Sequence, residues 1–141
     1  MKLKIKRIDS SLPLPEYHTS GAVAFDMYAR EETIVPPFTP TLIPANFVIK
    51  TPKGHFLMLT ARSSTAKKKG LIVFTGIVDQ DYCGDDDELK ISVLNFTKKN
   101  VIVEKEERIA QAVLVKITKA DSFKEVTSMS KKSRGGFGTT G

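Results

Sequence analysis

Asp79 is a candidate for acid–base chemistry because it follows an apolar run and precedes an aromatic residue. Ile77 and Val78 come directly before it, and Tyr82 follows three residues later. A carboxylate held beside apolar and aromatic side chains is suited to accept a proton from a water molecule. Aspartate also forms turns for backbone reasons alone. Asp79 by itself therefore leaves both a catalytic role and a turn-forming role open.

A second carboxylate, Asp26, lies among small and apolar residues in the segment 20–29. A buried aspartate has to be hydrogen-bonded or close to a cation, because an isolated charge is costly to remove from water. The pattern therefore indicates either a functional carboxylate or an aspartate that ends a strand and caps a loop.

A candidate anion site is formed by Arg62, Ser63 and Ser64, which open a segment that continues through three lysines to Gly70. Hydroxyl residues at its start and glycine at its end predict a short helix of two turns at most. A guanidinium and hydroxyl groups at a helix N-terminus are suited to bind phosphate. The lysines themselves are typical of a solvated basic surface.

The elements that position these side chains are predicted to be strands. Alternation of Leu89, Ile91 and Val93, after the apolar run that precedes Asp79, predicts a β-hairpin over 76–95 with one face buried. In this interpretation the apolar residues before Asp79 shield it from bulk water. Further strands are predicted at 2–8, 41–43, 47–51, 55–60 and 112–117.

Composition indicates an all-β chain. The 141 residues include seven prolines and nine glycines, which separate many short clusters of Val, Ile, Leu and Phe. This pattern predicts one domain of short strands and frequent turns. Residues 1–129 are predicted to form the domain. The segment 130–141, which is basic and then glycine-rich, is predicted to be a flexible tail.

Charge and cysteine content narrow the functional classes. The net charge of +6 predicts an anionic partner, whether nucleic acid, nucleotide or a phosphate-rich surface. Cys83 is the only cysteine, so an internal disulfide is excluded and a reducing, cytoplasmic compartment is favoured. No apolar run approaches the roughly 20 residues of a membrane span, and the first residues lack a signal-peptide core. No membrane association is therefore expected.

Five short motifs resemble, in order and spacing, those of the homotrimeric dUTPase family, the deoxyuridine triphosphate nucleotidohydrolases. They are G-A-V-A-F-D-M-Y-A at 21–29, A-R-S-S-T-A-K-K-K-G at 61–70, G-I-V-D-Q-D-Y-C-G at 76–84, E-R-I-A-Q at 107–111 and R-G-G-F-G-T-T-G at 134–141. The likeness runs from Leu3 to the last residue. It implies a jelly-roll-like β-fold with one short helix, in a homotrimer whose active sites are each built from three subunits.

The resemblance implies that the chain hydrolyses dUTP to dUMP and pyrophosphate, which keeps uracil out of DNA and supplies dUMP for thymidylate synthesis. Asp79 would be the catalytic base that activates the attacking water. Asp26 would hold Mg²⁺, the implied cofactor, through water. The implied activity requires no nucleic acid.

Two groups of residues would bind the phosphates. The first belongs to the body of the domain and comprises Arg62, Ser63, Ser64 and Gln111. The second belongs to the tail, which would close from another subunit as a lid and wrap the γ-phosphate with Arg134, Gly136, Gly138 and Thr139. Glycines lack a Cβ, so their N–H groups can approach a phosphate closely.

The nucleoside would be recognised by main chain and by two aromatic rings. The uracil edge would be read by main-chain groups of Gly76, Ile77 and Val78. Tyr82 would pack under the deoxyribose and leave no space for a 2′-hydroxyl, and Phe137 of the lid would stack on the base.

One departure from the family pattern is an acidic insertion, Asp85-Asp86-Asp87, which is followed by Glu88. Four adjacent acids in a turn cannot all point into a site, and strand alternation resumes at Leu89. The acidic stretch is therefore predicted to be a solvated turn that takes no part in metal binding.

Three other functions are kept as alternatives. A dCTP deaminase shares features of the second and third motifs, but it would carry a glutamate in the strand 91–95, which here contains no carboxylate. A non-catalytic, trimeric nucleotide-binding protein would have lost Asp79 or the tail, and both are present. A nucleic-acid-binding module would match the charge, but the lysines lack interleaved exposed aromatic residues.

Overall fold

Four antiparallel sheets build the fold over residues 1–139, the part of the chain that the computed structural model describes. This part contains eleven strands and one helix. The strands are β1 Lys4–Arg7, β2 Phe25–Tyr28, β3 Thr33–Val35, β4 Thr41–Pro44, β5 Phe47–Lys50, β6 His55–Ala61, β7 Leu71–Val73, β8 Gly76–Val78, β9 Lys90–Asn95, β10 Val101–Val103 and β11 Arg108–Lys116. The helix α1 is Thr65–Lys69. The all-β prediction with one short helix is confirmed.

The largest sheet has the strand order β2-β11-β6-β8, and a three-stranded sheet has the order β4-β9-β7. Two ribbons, β1-β5 and β3-β10, complete the structure of the described residues. Alternate apolar side chains face a shared interior. On β9, for example, Ile91 and Val93 are buried, whereas Ser92 and Leu94 are partly exposed. The period of two in the sequence is therefore the period of burial.

The predicted hairpin over 76–95 is wrong in its strand pairing. β8 pairs with β6 in the four-stranded sheet, with Val78 opposite Leu57, whereas β9 pairs with β4 and β7 in the three-stranded sheet. Burial of one face of β9 is confirmed. Alternation decides which face of a strand is buried, but it carries no information about which strand lies next to it.

Helix α1 begins and ends close to the predicted residues. Ser64 occupies the N-cap position, and Gly70 the C-cap position with a φ of 68°, a left-handed conformation that favours glycine. The predicted hydroxyl cap is wrong in detail, because the Ser64 side chain caps no backbone N–H. The buried Thr65 hydroxyl instead donates to the carbonyl oxygen of Ile109 at 2.8 Å. This hydrogen bond ties the start of the helix to β11.

Strand β11 begins at Arg108, four residues before the predicted strand at 112, because it pairs with β2 on one side and β6 on the other. Beyond it, the described residues 117–139 contain no helix or strand. Phe123 is 97% exposed there, and Phe137 is fully exposed. The last two residues of the fifth motif, 140 and 141, lie outside the described residues. Flexibility of the tail stays a prediction.

The helix of the described part is too short and too polar to cross a bilayer.

Candidate active site

Asp26, Arg62 and Gln111 come together on neighbouring strands of the four-stranded sheet. Asp26 on β2 lies opposite Gln111 on β11, which in turn lies opposite Thr60 on β6. Arg62 follows the end of β6, and its Nε lies 2.8 Å from Oδ1 of Asp26. Gln111 donates from Nε2 to the carbonyl oxygen of Ala61 at 2.9 Å. Sheet pairing thus assembles one polar cluster, the Asp26 cluster, from three distant parts of the sequence.

His18 and Arg108 complete the Asp26 cluster, and neither residue was predicted from the sequence. His18 Nε2 lies 3.1 Å from Oδ2 of Asp26, and Nη1 of Arg108 lies 3.3 Å from the same oxygen. The Asp26 side chain is 14% exposed, so these groups and Arg62 supply the partners that its burial requires. Arg108 stands inside the fourth motif, where a search for a charge partner would have found it. His18 carries no comparable signal.

A β-bulge places Arg108 next to Asp26. The register between β11 and β2 shifts between Arg108 and Ala110. Ile109 and Ala110 are both fully buried, which breaks the alternation of a regular strand. An extra residue in one strand re-aims the side chains beside it. Arg108 therefore reaches the carboxylate from the adjacent strand.

Asp79 lies at the opposite edge of the same sheet, directly after β8. It is exposed, as is Ile77 at 63%, because residues two apart on a strand share a face. The predicted apolar shield around Asp79 is therefore wrong for the single chain, since only Val78 turns inward. Gln80 donates from Nε2 to the carbonyl oxygen of His55 at 2.6 Å and fixes the start of the turn. A cavity of about 590 Å³ opens beside Asp79.

Asp79 and the Asp26 cluster are too far apart to act on one phosphate within a single chain. Two strands, β11 and β6, separate β2 from β8. Along the strands, Val78 is level with Leu57, whereas Asp26 is level with Thr60. Ordinary strand spacing and rise put the two carboxylates on the order of 20 Å apart. A reaction that needs both groups requires a second copy of the chain.

The described part of the tail forms only local hydrogen bonds. The N–H of Gly136 donates to Oγ1 of Thr139 at 2.7 Å, and the N–H of Thr139 donates to the carbonyl oxygen of Gly136 at 3.1 Å. Gly138 has a φ of 87°, which L side chains rarely adopt. Within residues 118–139, no hydrogen bond reaches the sheets. The described part of the tail thus forms a glycine-rich turn. Arg134 and Phe137 belong neither to the Asp26 cluster nor to the surroundings of Asp79.

The acidic insertion is a turn that exposes Asp85 and Asp86, whereas Asp87 is partly buried and accepts the N–H of Gly84 through Oδ2 at 2.6 Å. Asp85, whose side chain is 92% exposed, lies 3.4 Å from Lys6 of β1, and Asp86 is also exposed. In the described residues, no group of His, Cys, Asp and Glu has the arrangement of a metal site. The prediction of a solvated turn is wrong for Glu88, which is 12% exposed. Its carboxylate turns inward because Arg30 lies 2.7 Å away and compensates its charge.

Comparison with known proteins decides the family. The dUTPase family model matches residues 10–141. The deoxyuridine 5'-triphosphate nucleotidohydrolase of Hydrogenobaculum sp. (strain Y04AAS1) is 38% identical over 146 residues, which cover 100% of this chain and 99% of that protein. The chain belongs to the dUTPase family.

Solved dUTPase structures share the fold. The dUTPase of Staphylococcus bacteriophage 80alpha with dUPNHPP is 25% identical, with a TM-score of 0.83 and coverage of 99% of this chain and 98% of that one. The D95N mutant dUTPase of the Staphylococcus aureus phage phi11, in which a structural Mg(II) ion is coordinated, is 20% identical with a TM-score of 0.80. That likeness covers 92% of this chain and 99% of the phage chain.

Membership of the dUTPase family confirms the resemblance found in the five motifs and the prediction of this enzyme class. It also bears on the alternatives. β9, Lys90–Asn95, lacks the glutamate that a dCTP deaminase would carry there. Exposed aromatic residues do lie near lysines, because Phe96, 44% exposed, precedes Lys98 and Lys99, and Phe123, 97% exposed, precedes Lys124; their predicted lack is wrong at these positions. The roles of individual site residues stay predictions.

Proposed function

We propose that this dUTPase family member hydrolyses dUTP to dUMP and pyrophosphate as a homotrimer with active sites shared between copies. The observation that carries the proposed activity is the full-length, 38% identity to a deoxyuridine 5'-triphosphate nucleotidohydrolase. Separation of Asp79 from the Asp26 cluster supports the sharing of sites. The reaction removes dUTP, so that uracil stays out of DNA, and it supplies dUMP for thymidylate synthesis.

The Asp26 cluster is the proposed phosphate-binding half of the site. Arg62 is held at two points, by Asp26 through Nε and by the carbonyl oxygen of Arg108 through Nη1 at 3.1 Å. A guanidinium fixed in this way is preorganised to donate to a phosphate and loses little freedom on binding. Ser63 is exposed beside it, and Ser64 and Gln111 complete the set.

Asp79 of a second copy is the proposed general base. Its carboxylate takes a proton from water while the water oxygen attacks the α-phosphorus. The bond from the α-phosphorus to the oxygen that bridges it to the β-phosphorus breaks, and pyrophosphate leaves with that oxygen. Because Asp79 is exposed in its own chain, the copy that carries the Asp26 cluster and the tail of a third copy supply the exclusion of bulk water.

Mg²⁺ fits the Asp26 cluster as an ion bound through water. A carboxylate can accept about four hydrogen bonds. Arg62 and Arg108 donate to the Asp26 carboxylate, and Nε2 of His18 lies 3.1 Å from Oδ2 and 3.0 Å from Nη1 of Arg108, which leaves at least one position for a metal-bound water. Magnesium usually keeps several waters and binds through substrate phosphates. When bound, it would neutralise negative charge on the triphosphate.

A pyrophosphate-release assay across dUTP, dCTP, dTTP and UTP tests the proposed activity. Hydrolysis of dUTP with a much higher kcat/KM than the other three is expected. Ammonia release from dCTP would support the deaminase instead, and tight dUTP binding without turnover would support a non-catalytic protein. Sedimentation velocity of the same preparation tests the trimer.

Tyr82→Ala is expected to narrow the preference for dUTP over UTP by about tenfold or more. A ring that packs against C2′ rejects a hydroxyl sterically, and Tyr82 is 42% exposed and available for such packing. The ratio of kcat/KM for the two nucleotides measures the effect. Tyr17→Ala, which removes another exposed tyrosine, is the matched control. An unchanged ratio in Tyr82→Ala would place the discrimination elsewhere.

Replacement of Asp85, Asp86 and Asp87 by Asn is expected to leave kcat and the Mg²⁺ requirement unchanged. The variant removes three negative charges from the approach of an anionic substrate, so kcat/KM should rise modestly at low salt. Salt screens such repulsion over about 8–10 Å, and the gain should disappear near physiological ionic strength. Assays at the two salt concentrations measure it. A large loss of kcat would show that the insertion belongs to the site.

A further inference from the structure

Arg30 and Glu88 form a two-point ion pair outside the set of residues proposed to contact the nucleotide. Nε of Arg30 lies 2.7 Å from Oε1 of Glu88, and Nη2 lies 3.2 Å from Oε2. The side chains are only 26% and 12% exposed, respectively. The hydrogen bonds from Arg30 to Glu88 raise the pKa of Arg30 above its ordinary value. The pair is therefore a charged, mostly desolvated contact of fixed geometry.

The pair joins three segments of the chain. Arg30 follows β2, and its N–H donates to the carbonyl oxygen of Pro44 at 2.8 Å. Asn46, in the turn between β4 and β5, has a φ of 69° and donates its N–H to Oε1 of Glu88 at 2.9 Å. Glu88 is the penultimate residue of the loop 79–89, which joins β8 to β9. The C-terminal end of this loop is thus fastened to the core by three N–H donors on one carboxylate, two from Arg30 and one from Asn46.

Tyr82 is tethered to the same residue. Its hydroxyl donates to the main-chain carbonyl oxygen of Glu88 at 3.2 Å. The next N–H along the chain, that of Leu89, donates to the carbonyl oxygen of Phe47 at 2.8 Å. Because the peptide unit between Glu88 and Leu89 is planar, this bond and the Glu88 side chain together fix the oxygen that receives the tyrosine.

We propose that the Arg30–Glu88 pair is a positioning clamp for the ring of Tyr82 and thereby sets the discrimination between deoxyribose and ribose. The inference rests on the proposed function, in which Tyr82 packs under the sugar. Asp79, in contrast, is held from the other end of the loop by the pairing of β8 with β6 and by the Gln80 hydrogen bond. Loss of the clamp therefore affects sugar selection far more than turnover of dUTP.

The experiment compares kcat and KM for dUTP and UTP in the full-length enzyme and in four variants. Arg30→Met removes the pair and leaves the Glu88 carboxylate without its compensating charge, so the residue moves toward water. Arg30→Lys keeps the charge but loses the two-point contact. Tyr82→Phe removes the tether and keeps the ring. Lys105→Met is the control, because it breaks a different ion pair, with Asp9 at 3.3 Å.

Arg30→Met and Tyr82→Phe are each expected to lower the ratio of kcat/KM for dUTP over UTP by about fivefold, with kcat for dUTP close to that of the wild type. The ratio for Arg30→Lys should lie between the ratios of these two variants and that of the wild type. The ratio for Lys105→Met should equal that of the wild type. The double variant Arg30→Met/Tyr82→Phe should lose no more selectivity than the larger single loss, because both changes break one chain of contacts.

An unchanged ratio in a folded Arg30→Met enzyme, or equal losses of kcat for both nucleotides, would reduce the pair to a structural role. Thermal unfolding of each variant separates that case from misfolding. If Arg30→Met does not fold, an unchanged ratio in Arg30→Lys and Tyr82→Phe overturns the clamp. A wild type that hydrolyses neither nucleotide overturns the proposed function and the clamp together, whereas a selective wild type with unaltered variants overturns the clamp alone.

Discussion

Asp79→Asn is expected to keep nucleotide binding and to lower kcat by about 10²–10⁴-fold. The amide preserves the shape of the side chain but cannot accept the proton of the attacking water. Asp79 follows β8, which pairing with β6 holds in place, and its side chain is exposed. The substitution should therefore leave the fold intact. Single-turnover pyrophosphate release measures the chemical step, and titration with a non-hydrolysable dUTP analogue measures binding.

Asp86→Asn is the matched control for this experiment. It makes the same chemical change on an exposed carboxylate of the neighbouring turn, and its kcat should equal that of the wild type. Equal unfolding temperatures for the two variants would assign the loss in Asp79→Asn to catalysis. A kcat for Asp79→Asn close to the wild type would remove Asp79 from the role of base.

Truncation after Lys132 is expected to leave a folded trimer whose kcat/KM is lower by about 100-fold or more. The described residues 133–139 form no strand, helix or hydrogen bond to the sheets, so their removal should not disturb the core. The truncation removes one stacking ring, worth about 1–3 kcal/mol, and one charge-assisted contact, worth about 1.5–3 kcal/mol. Sedimentation checks the trimer, and thermal unfolding checks the fold. Full activity of the truncated enzyme would contradict the proposed role of the tail as a lid.

Phe137 allows the lid to be tested by single substitutions. Phe137→Ala should lower kcat/KM by about 5- to 150-fold, because it removes only the stacking. Phe137→Trp keeps an aromatic ring and should stay close to the wild type. The chain contains no tryptophan, so this variant also carries a unique fluorophore. A change in its emission on binding of the non-hydrolysable analogue would report closure, and constant emission would contradict stacking.

Much of the fold could be predicted because its signals are local. The buried face of β9 follows from alternation in 89–95, and the C-terminal end of α1 follows from Gly70, whereas its start is held by the hydrogen bond from Thr65 to Ile109. The strand partners could not be predicted in this way. β8 and β9 lie close together in the sequence, yet they belong to different sheets. The extra four residues of β11 arise because strands on both sides supply hydrogen-bonding partners.

The candidate site, like the fold, has parts that the sequence indicates and parts that depend on tertiary contacts. Asp26, Arg62, Asp79 and Gln111 were candidates because each stands in a motif that resembles the family; the structure brings the first two and Gln111 together, and the roles of all four stay predictions. The contacts of His18, Arg30 and Glu88 could not be predicted, because each residue meets a partner 8 or 58 residues away. The expected shielding of Asp79 was wrong for a related reason. Shielding depends on what packs against the outer face of β8. The residues next to Asp79 in the sequence do not specify that packing partner.

The family, the all-β class, the C-terminal end of the helix and the residue types that the chemistry requires can all be read from the linear sequence. Residue chemistry, turn preferences and a period of two act over a few neighbouring positions, so one linear string is enough to show them. The tertiary structure alone decided that Asp26 sits among two arginines and a histidine, and that Asp79 lies at the far edge of the same sheet. Those facts depend on which strands pair, and pairing is set by the combined burial of side chains far apart in the sequence.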